Sequence, residues 1–442
     1  MPQPTGFRLP RLCLPRPGTD LERWAVVACD QYTSEPDYWR RVEAFVGAAP
    51  STLHLTFPEV YLEAPDAAAR ITRIQQAMQR YEAEGLLVDH EGAVLVERTV
   101  DGRTRRGLML ELDLEHYDFS VTSTSLIRPT EGTIVARLAP RIAVRRGAPL
   151  ELPHILVLID DPAGTVIEPL AAARASLQPL YDTALMEGGG RVAGFAVDAA
   201  RGAQVVDALS ALAAPAAFAA RHGVPAGTPP MLFAMGDGNH SLATAKSIWD
   251  EAKARVGLDH PSRFALVEVV NIHDPALHFA PIHRVLFGLT VDLRAALADA
   301  FGARVACTDM PDAAAMRARV QAVHDADGGQ GRRQAVGLIT AGGRCSVAEI
   351  DAPPSPLAVG TLQPVLDRLL AQGGAASIDY VHGDDVVERL GAQPGCAGFH
   401  LAGLGKHELL TRVVKEGPLP RKTFSMGEAH EKRFYMEARR IR

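Results

Sequence analysis

The chain has few cysteines and no long apolar run, and both absences exclude classes of protein. Its five cysteines are odd in number and widely scattered, which predicts reduced thiols and not a disulfide framework or a zinc site. Apolar stretches such as residues 155–159 are far too short to cross a bilayer. The first residues carry neither the basic patch nor the apolar segment of a secretory signal. We therefore expect a cytoplasmic protein with no membrane partner.

An excess of basic charge is also lacking. The chain has 46 Lys and Arg against 52 Asp and Glu, a net charge of -6, whereas broad nucleic-acid binding needs a basic surface that displaces counterions. Two catalytic signatures are absent from the sequence as well, the P-loop Gly-x-x-x-x-Gly-Lys-Ser/Thr and the hydrolase Gly-x-Ser-x-Gly. We expect no nucleic-acid partner, and these absences weigh against the P-loop and α/β-hydrolase classes.

The length and the mixture of patterns indicate several α/β regions. A chain of 442 residues, 47% hydrophobic and 22% charged, is ordinary for a globular protein and long enough for two or three domains. We predict an N-terminal α/β region over 1–112, a central region over 113–290 and a C-terminal α/β region over 291–442. The fold class expected is mixed α/β or α+β, with a mixed sheet at its centre.

Local patterns place the individual elements. Apolar period, turn dipeptides and cap residues predict a helix opening near Pro36, a helix over 66–84, a hairpin of strands 93–97 and 105–112 around Asp101-Gly102, an Ala-rich helix near 203–221, and a strand over 231–235. The last of these strands leads directly into the most informative run of the chain.

That run is a polar corner between a strand and a helix, and it reads Gly236, Asp237, Gly238, Asn239 and His240. Glycine permits positive φ and close approach of a ligand to the main chain. The helix expected from about Ser241 would direct unpaired N–H groups and a positive dipole end toward an anion. The alternative is a plain connector whose Asn or Ser caps the helix. Capping needs one polar side chain, so three on one corner favour a binding site.

A basic strip with a single acid precedes this corner. It holds Arg128, Glu131, Arg137, Arg141 and Arg145, and the last three recur every four residues, a spacing that shares one helical face. Guanidinium groups bind phosphate in bidentate fashion. Neighbouring cations would keep the glutamate ionised, as a carboxylate base must be. The alternative is a solvated face in which the glutamate is a local ion-pair partner.

Three further cations are candidates for phosphate contact. His283 and Arg284 are adjacent in sequence and could meet a phosphate at the end of a strand, and Lys422 stands in a polar run with a hydroxyl and a turn. The alternative for Lys422 is a solvated basic tail that continues through Arg439 to the end of the chain. Cys29 has no companion base in the sequence and is interpreted as a packed thiol.

Several segments together resemble one family of proteins. They are residues 26–33, 58–62, 151–154, 236–243 and 421–428. Taken over nearly the whole chain, they resemble a bacterial and archaeal family known as domain of unknown function 1015.

A shorter stretch is similar to the phosphate-binding motif of the ParB and sulfiredoxin superfamily, which includes free serine kinases. That resemblance implies that residues 237–240 cradle the phosphates and that Glu131 serves as base. Ser241 stands where the motif usually has arginine, so the missing cation would come from Arg128, Arg137, Arg141 or Arg284.

These observations lead to one functional hypothesis and two alternatives. The hypothesis is a small-molecule kinase, with free serine as first acceptor, a small phosphate-bearing substrate, Mg²⁺, and ATP, ADP or pyrophosphate as donor. The alternatives are a nucleotide-sensing binding protein and a phosphate-ester hydrolase. The predicted catalytic residues are Glu131, Asp237 and His240, and the predicted phosphate-binding residues are Gly236, Gly238, Asn239, Ser241, Arg128, Arg137, Arg141, His283, Arg284 and Lys422.

Overall fold

The computed structural model describes residues 6–133 and 138–442. The chain divides into two compact units. The first comprises Met1–His278, Leu410–Leu419 and Met426–Arg442, and the second comprises Phe279–Leu409 and Pro420–Ser425. The division of the sequence into three regions stays a prediction. Its later seam, after residue 290, lies near the change of unit after residue 278, whereas its earlier seam, after residue 112, falls inside a strand.

Strands and helices are interspersed along both units. The strands are β1 (Phe7–Arg8), β2 (Arg11–Pro15), β3 (Val26–Val27), β4 (Leu87–Glu91), β5 (Val94–Val100), β6 (Arg103–Asp113), β7 (Ile127–Arg128), β8 (Leu150–Glu151), β9 (Leu156–Ile159), β10 (Gln178–Leu185), β11 (Gly190–Ala196), β12 (Phe233–Asp237), β13 (Phe264–Asn271), β14 (Phe279–Pro281), β15 (His283–Phe287), β16 (Val305–Met310), β17 (Arg333–Thr340), β18 (Arg344–Asp351), β19 (Ser377–Val381), β20 (Cys396–His400), β21 (Phe424–Met426), β22 (Phe434–Tyr435) and β23 (Arg439–Arg440). The helices are α1 (Leu21–Trp24), α2 (Pro36–Val46), α3 (Ala67–Ala83), α4 (Leu138–Arg145), α5 (Glu168–Ala172), α6 (Ala199–Leu212), α7 (Pro215–His222), α8 (Asn239–Val256), α9 (Leu293–Phe301), α10 (Ala313–Asp327), α11 (Ala358–Ala371), α12 (Asp384–Gly391) and α13 (Lys406–Glu416).

A nine-stranded mixed sheet forms the centre of the first unit. Its order is β10-β11-β5-β6-β13-β9-β12-β7, and β1 adds to β6. The pairs β13–β9 and β12–β7 are parallel and the others are antiparallel. The predicted fold class, mixed α/β with a central mixed sheet, is therefore confirmed.

Period-two alternation along the middle strands separates two cores on the two faces of this sheet. Leu108 and Leu110 of β6 pack into one apolar cluster, with Phe233 and Trp249, while Met109 between them packs into the other. Every residue of β9 is buried. A strand that is buried on both faces accounts for the continuous apolar run in this part of the sequence.

The second unit is built on a six-stranded antiparallel sheet. Its order is β16-β18-β17-β20-β15-β19. One apolar cluster holds Leu362 and Phe399, and another holds Met316 and Val347. Among the described residues, no single helix has the length and apolar composition of a membrane span; α6 and α7 meet that test only when joined, and they meet at a 60° bend.

Candidate functional site

The predicted strand-to-helix corner is present, and it is tighter than the sequence suggests. The strand β12 continues to Asp237 and α8 begins at Asn239, so Gly238 alone connects them. Gly238 has φ +79°, in the left-handed region that favours glycine. No side chain caps the helix; instead, the N–H groups of Ser241 and Leu242 donate to the Gly238 carbonyl at 2.9 and 3.1 Å. The predicted start of the helix at Ser241 was two residues late.

Both glycines of the corner lie against closely packed neighbours. A Cβ on Gly236 would lie 2.9 Å from the Sδ of Met426 and 3.1 Å from Cγ of Leu158, and a Cβ on Gly238 would lie 3.1 Å from Cα of Ile155. The space beside Gly236 is therefore filled by protein atoms. A side chain at position 236 would press on the end of Met426 and on Leu158, and the phosphate-binding role of Gly236 stays a prediction.

Asp237 is held between the backbone and a lysine. Its Oδ1 accepts the Gly238 N–H at 2.9 Å, and its Oδ2 lies 3.1 Å from Nζ of Lys432. The lysine side chain is mostly buried, and its charge also helps to lower the pKa of the Asp30 carboxyl. The charge of Lys432 thus acts on two carboxylates, on Asp237 by direct contact and on Asp30 through the electrostatic field, and the local sequence shows no such grouping.

Glu131 reaches the same edge of the sheet because β7 runs parallel to β12. Ile127 is opposite Phe233 and Arg128 is opposite Ala234, so the residues after Arg128 emerge at the edge where Asp237 lies. The Oγ1 of Thr130 donates to the Met235 carbonyl at 2.6 Å, which fixes this approach. The sequence prediction that joined the glutamate to the corner is consistent with this register.

The described arginines of the basic strip, Arg128, Arg141 and Arg145, are engaged in contacts within the protein. Arg128 is buried, and its guanidinium donates to the carbonyls of Thr124, Ser125 and Pro229, a structural use that leaves its phosphate-binding role without support. Arg141 lies 2.5 Å from Glu59. Arg137 lies outside the described residues. The strip therefore does not present a row of unpaired cations among the described residues.

Asn239 and His240 form the first turn of α8, as their place in the sequence suggests. The Oδ1 of Asn239 is buried and has no hydrogen-bond partner among the described residues. A buried polar atom without a partner is expensive unless something else contacts it. The carbonyl of His240 accepts a hydrogen bond from the hydroxyl of Thr244, one turn further along the helix, at 2.7 Å.

A cleft at the first turn of α8 contains Ser241 and Arg141, both predicted as phosphate ligands, together with residues to which the sequence gave no role. Its cavity volume is about 130 Å³, and the cleft is open to solvent. Ser241 Oγ lies 2.9 Å from Nε2 of His154, and Nδ1 of His154 lies 2.7 Å from the hydroxyl of Tyr435. Oδ2 of Asp30 lies 3.7 Å from the same Nε2. Cys29, predicted to be a packed thiol, lines this cleft, and burial raises the pKa of its thiol well above the ordinary value.

The remaining predicted phosphate ligands belong to the second unit. His283 Nε2 contacts Oδ1 of Asp384 at 3.2 Å. Arg284 is fully buried and donates to Oε1 of Gln363 at 3.2 Å. Lys422 is exposed and has φ +60°. Their phosphate-binding roles stay predictions.

Comparison with known proteins gives a family and only weak structural likeness. No curated protein matches the chain. Among solved structures, a variant of free serine kinase in complex with ADP is 12% identical over 77% of this chain and 94% of that chain, at a TM-score of 0.38. A conserved hypothetical protein from Pyrococcus furiosus is 13% identical over 74% and 94%, at 0.36. SbnI from Staphylococcus aureus is 12% identical over 71% and 84%, at 0.33.

TM-scores this low carry no argument about the site. The family match is different, because it extends over residues 13–369, most of the chain. It also confirms the family resemblance seen in the sequence. The chain belongs to the family described as protein of unknown function, DUF1015.

Proposed function

We propose that this protein transfers a phosphoryl group from ATP, ADP or pyrophosphate to the hydroxyl of a small acceptor, with free serine as the first candidate. The observation that supports this most is the parallel register of β7 and β12. It brings Glu131 to the edge of the sheet where Asp237 precedes the N-terminus of α8. Phosphoryl transfer needs positioning and charge stabilisation more than covalent chemistry, and this edge offers both.

Each residue of the edge has one task in the proposed reaction. Glu131 accepts the proton of the acceptor hydroxyl as the oxygen attacks phosphorus. The positive end of α8, an 18-residue helix, stabilises negative charge on the transferring group, with Asn239 and His240 in its first turn. The chain has serine at position 241 where the related motif has arginine. Lys432, already 3.1 Å from Asp237, supplies the cation that Ser241 cannot.

The residues at this edge suit Mg²⁺ by donor type. Carboxylate oxygens are its preferred protein ligands, and Asp237 presents a carboxylate at the end of β12, beside Lys432. When bound, Mg²⁺ neutralises charge on the donor phosphates. Asp237 would hold it, and release from Lys432 would free that lysine for the phosphate.

The test is to incubate the purified protein with serine and each donor, with Mg²⁺, and to detect phosphoserine by mass spectrometry. Glu131→Gln should lower turnover by about 10²- to 10⁴-fold, because a positioned base contributes that much. Lys432→Met should lower it by about 10²-fold through lost charge stabilisation. The matched control is Glu63→Gln, at an exposed glutamate, which should leave turnover unchanged.

Three outcomes would overturn the proposal in different ways. If no donor yields phosphoserine, serine is not the acceptor. If nucleotide binds tightly without turnover and Glu131→Gln does not alter binding, the protein is a nucleotide sensor. If inorganic phosphate is released without any acceptor, the protein is a phosphate-ester hydrolase.

A further inference from the structure

The contact between Ser241 and His154 has the geometry of a nucleophile and its base. The hydroxyl oxygen and Nε2 are 2.9 Å apart, within the range for a proton transfer between the two groups. His154 is 8% exposed, so its ring is held in place by packing. Both side chains line the cleft, which gives a ligand access to the serine.

A third group orients the imidazole. The hydroxyl of Tyr435 lies 2.7 Å from Nδ1 of His154 and accepts the Cys29 N–H at 3.2 Å. Its oxygen has a second lone pair, which can accept a hydrogen bond from a protonated Nδ1. In that tautomer Nε2 carries a lone pair and accepts the hydroxyl proton of Ser241. Nucleophile, base and orienting group therefore follow one another in hydrogen-bond contact, the arrangement that marks an activated serine.

A carboxylate lies near the ring nitrogen of His154 that takes up the proton. Oδ2 of Asp30 is 3.7 Å from Nε2 of His154. Burial alone would raise the pKa of the Asp30 carboxyl, but the charge of His154, a hydrogen bond from Gln31 and the charge of Lys432 together lower it. The ionised carboxylate stabilises a proton on the ring by Coulomb attraction.

The cleft itself suits an uncharged, largely apolar ligand. Its four charged carboxylate and guanidinium side chains are engaged in ion pairs, Glu59 with Arg141 and Glu151 with Arg145, each at 2.5 Å. The rest of its wall is mainly apolar, formed by Leu55, Phe57, Leu62, Met78, Leu150 and Leu152. Such a wall favours an acyl or alkyl group over a polyphosphate.

We propose that Ser241 is the nucleophile of a second activity, hydrolysis of carboxylic esters with an apolar acyl group. The serine oxygen forms a bond to the ester carbonyl carbon while its proton passes to Nε2 of His154. The bond between that carbon and the alcohol oxygen then breaks, and the alcohol leaves with the proton from Nε2. Water, the second reactant, attacks the acyl-serine in the same way, releases the carboxylic acid and restores Ser241.

The start of α8 assists this reaction. Ser241 is the third residue of that helix, so negative charge on the carbonyl oxygen develops beside the positive end of the helix dipole. This activity does not depend on Glu131 or on a phosphate donor, and it is separate from the proposed phosphoryl transfer.

The first test is covalent labelling of the full chain with an alkyl fluorophosphonate, in which the serine oxygen displaces fluoride from phosphorus. We expect one labelled peptide, carrying Ser241, and loss of labelling in Ser241→Ala. The matched control is Ser247→Ala on the same helix, whose hydroxyl bonds the Ala243 carbonyl; its labelling should equal that of the unaltered chain. An unlabelled native chain, or labelling that persists in Ser241→Ala, overturns the proposal.

The second test separates chemistry from folding. Hydrolysis of p-nitrophenyl butyrate should fall at least 10²-fold in His154→Gln. Tyr435→Phe removes the orienting oxygen but keeps the ring, so it should shift the pH profile of kcat/KM, which a merely structural role would leave in place. Identical pH profiles for the two chains would contradict the role of Tyr435. Ester turnover and phosphoserine formation are measured separately, so either proposal can fail alone.

Discussion

His283 sits in a small buried group whose hydrogen bonds determine its tautomer. The N–H of Leu401 donates to Nδ1 of His283 at 3.2 Å, so Nδ1 is an acceptor and the ring proton is on Nε2. That proton points to Oδ1 of Asp384, which also lies 3.1 Å from Nε2 of His400. The three side chains lie close enough to hold a metal ion, but Nε2 of His283 has no lone pair to offer in this tautomer. They form a hydrogen-bonded group.

This group makes the second unit sensitive to acid. Burial, followed by the charge of His400, lowers the pKa of His283 from 6.5 to about 4. The unfolded chain then binds the proton more readily than the folded chain. The stabilisation is therefore complete above pH 6.5 and is lost as the pH falls from 6.5 through 4, by about 3 kcal/mol in all.

Urea unfolding of His283→Gln between pH 7 and pH 4 measures this contribution of His283 to the free energy of unfolding. The variant should lose less stability over that interval than the unaltered chain. The control is His324→Gln, at a partly exposed histidine of α10 in the same unit, which should keep the original pH dependence. Equal pH slopes for the chain and His283→Gln would contradict the assignment.

At the scale of elements, the corner before α8 depends on Gly238. An alanine there would adopt φ +79° and would place its Cβ 3.1 Å from Cα of Ile155. The left-handed conformation alone costs about 1–2 kcal/mol for a residue with a side chain, and the close backbone of Ile155, just before β9, adds to it. We expect Gly238→Ala to destabilise the first unit by more than 2 kcal/mol in urea unfolding and to lower the proposed kinase activity.

Gly223 offers the matched control for this substitution. It is also left-handed, at φ +58° and ψ +49°, but a Cβ there would meet only Nζ of Lys415, at 3.8 Å. Gly223→Ala therefore measures the cost of the left-handed conformation in the free energy of unfolding, without the close contact. Equal destabilisation by the two substitutions would show that the approach of Ile155 to the corner is unimportant.

Elements with a strong local pattern were predictable. The predicted hairpin is β5 and β6, and Asp101 and Gly102 at its tip both have positive φ, as its two-residue turn requires. The helix predicted over 66–84 is α3. The Ala-rich segment near 203–221 is two helices and not one, because Pro215 begins α7 after α6 ends at Leu212.

The side chains around the corner were not predictable in the same way. His154, Lys432 and Tyr435 come together with Ser241 and Asp237 through pairings that span up to hundreds of residues. No local sequence pattern indicates which residues of distant segments come into contact. Segments 26–33 and 151–154 did stand out in the family resemblance, but that resemblance supplied no role for Asp30 or His154.

At the scale of the whole molecule, the first unit contains both ends of the chain. The segment from Met426 belongs to it, and β22 pairs with β3 while β23 pairs with β8. The interpretation of the C-terminal run as a solvated basic tail was wrong for Arg439, which is 2% exposed. Arg439 bonds Glu151 at 2.6 Å and Glu111 at 3.1 Å, so the tail is an integral part of the fold.

Arg433 shows how strongly this tail is held. Its guanidinium donates to both Glu268 of β13 and Glu437, and all three side chains are almost fully buried. Arg433→Met would leave Glu437 buried without a cation and Glu268 with only Arg105, 3.5 Å away, which costs about 3–5 kcal/mol. Arg440→Met removes an arginine from the same tail that is 42% exposed and paired with Glu82 at 2.9 Å, so it should cost at most about 1 kcal/mol.

Urea unfolding of both variants at pH 7 measures the difference. Adding Glu437→Gln to Arg433→Met should recover part of the loss, because it removes the buried carboxylate that is left without a cation. If Arg433→Met destabilised no more than Arg440→Met, the tail would not be held by these buried pairs. Arg433→Met should also displace Lys432, the preceding residue, from Asp237. Turnover at the corner should therefore fall together with stability.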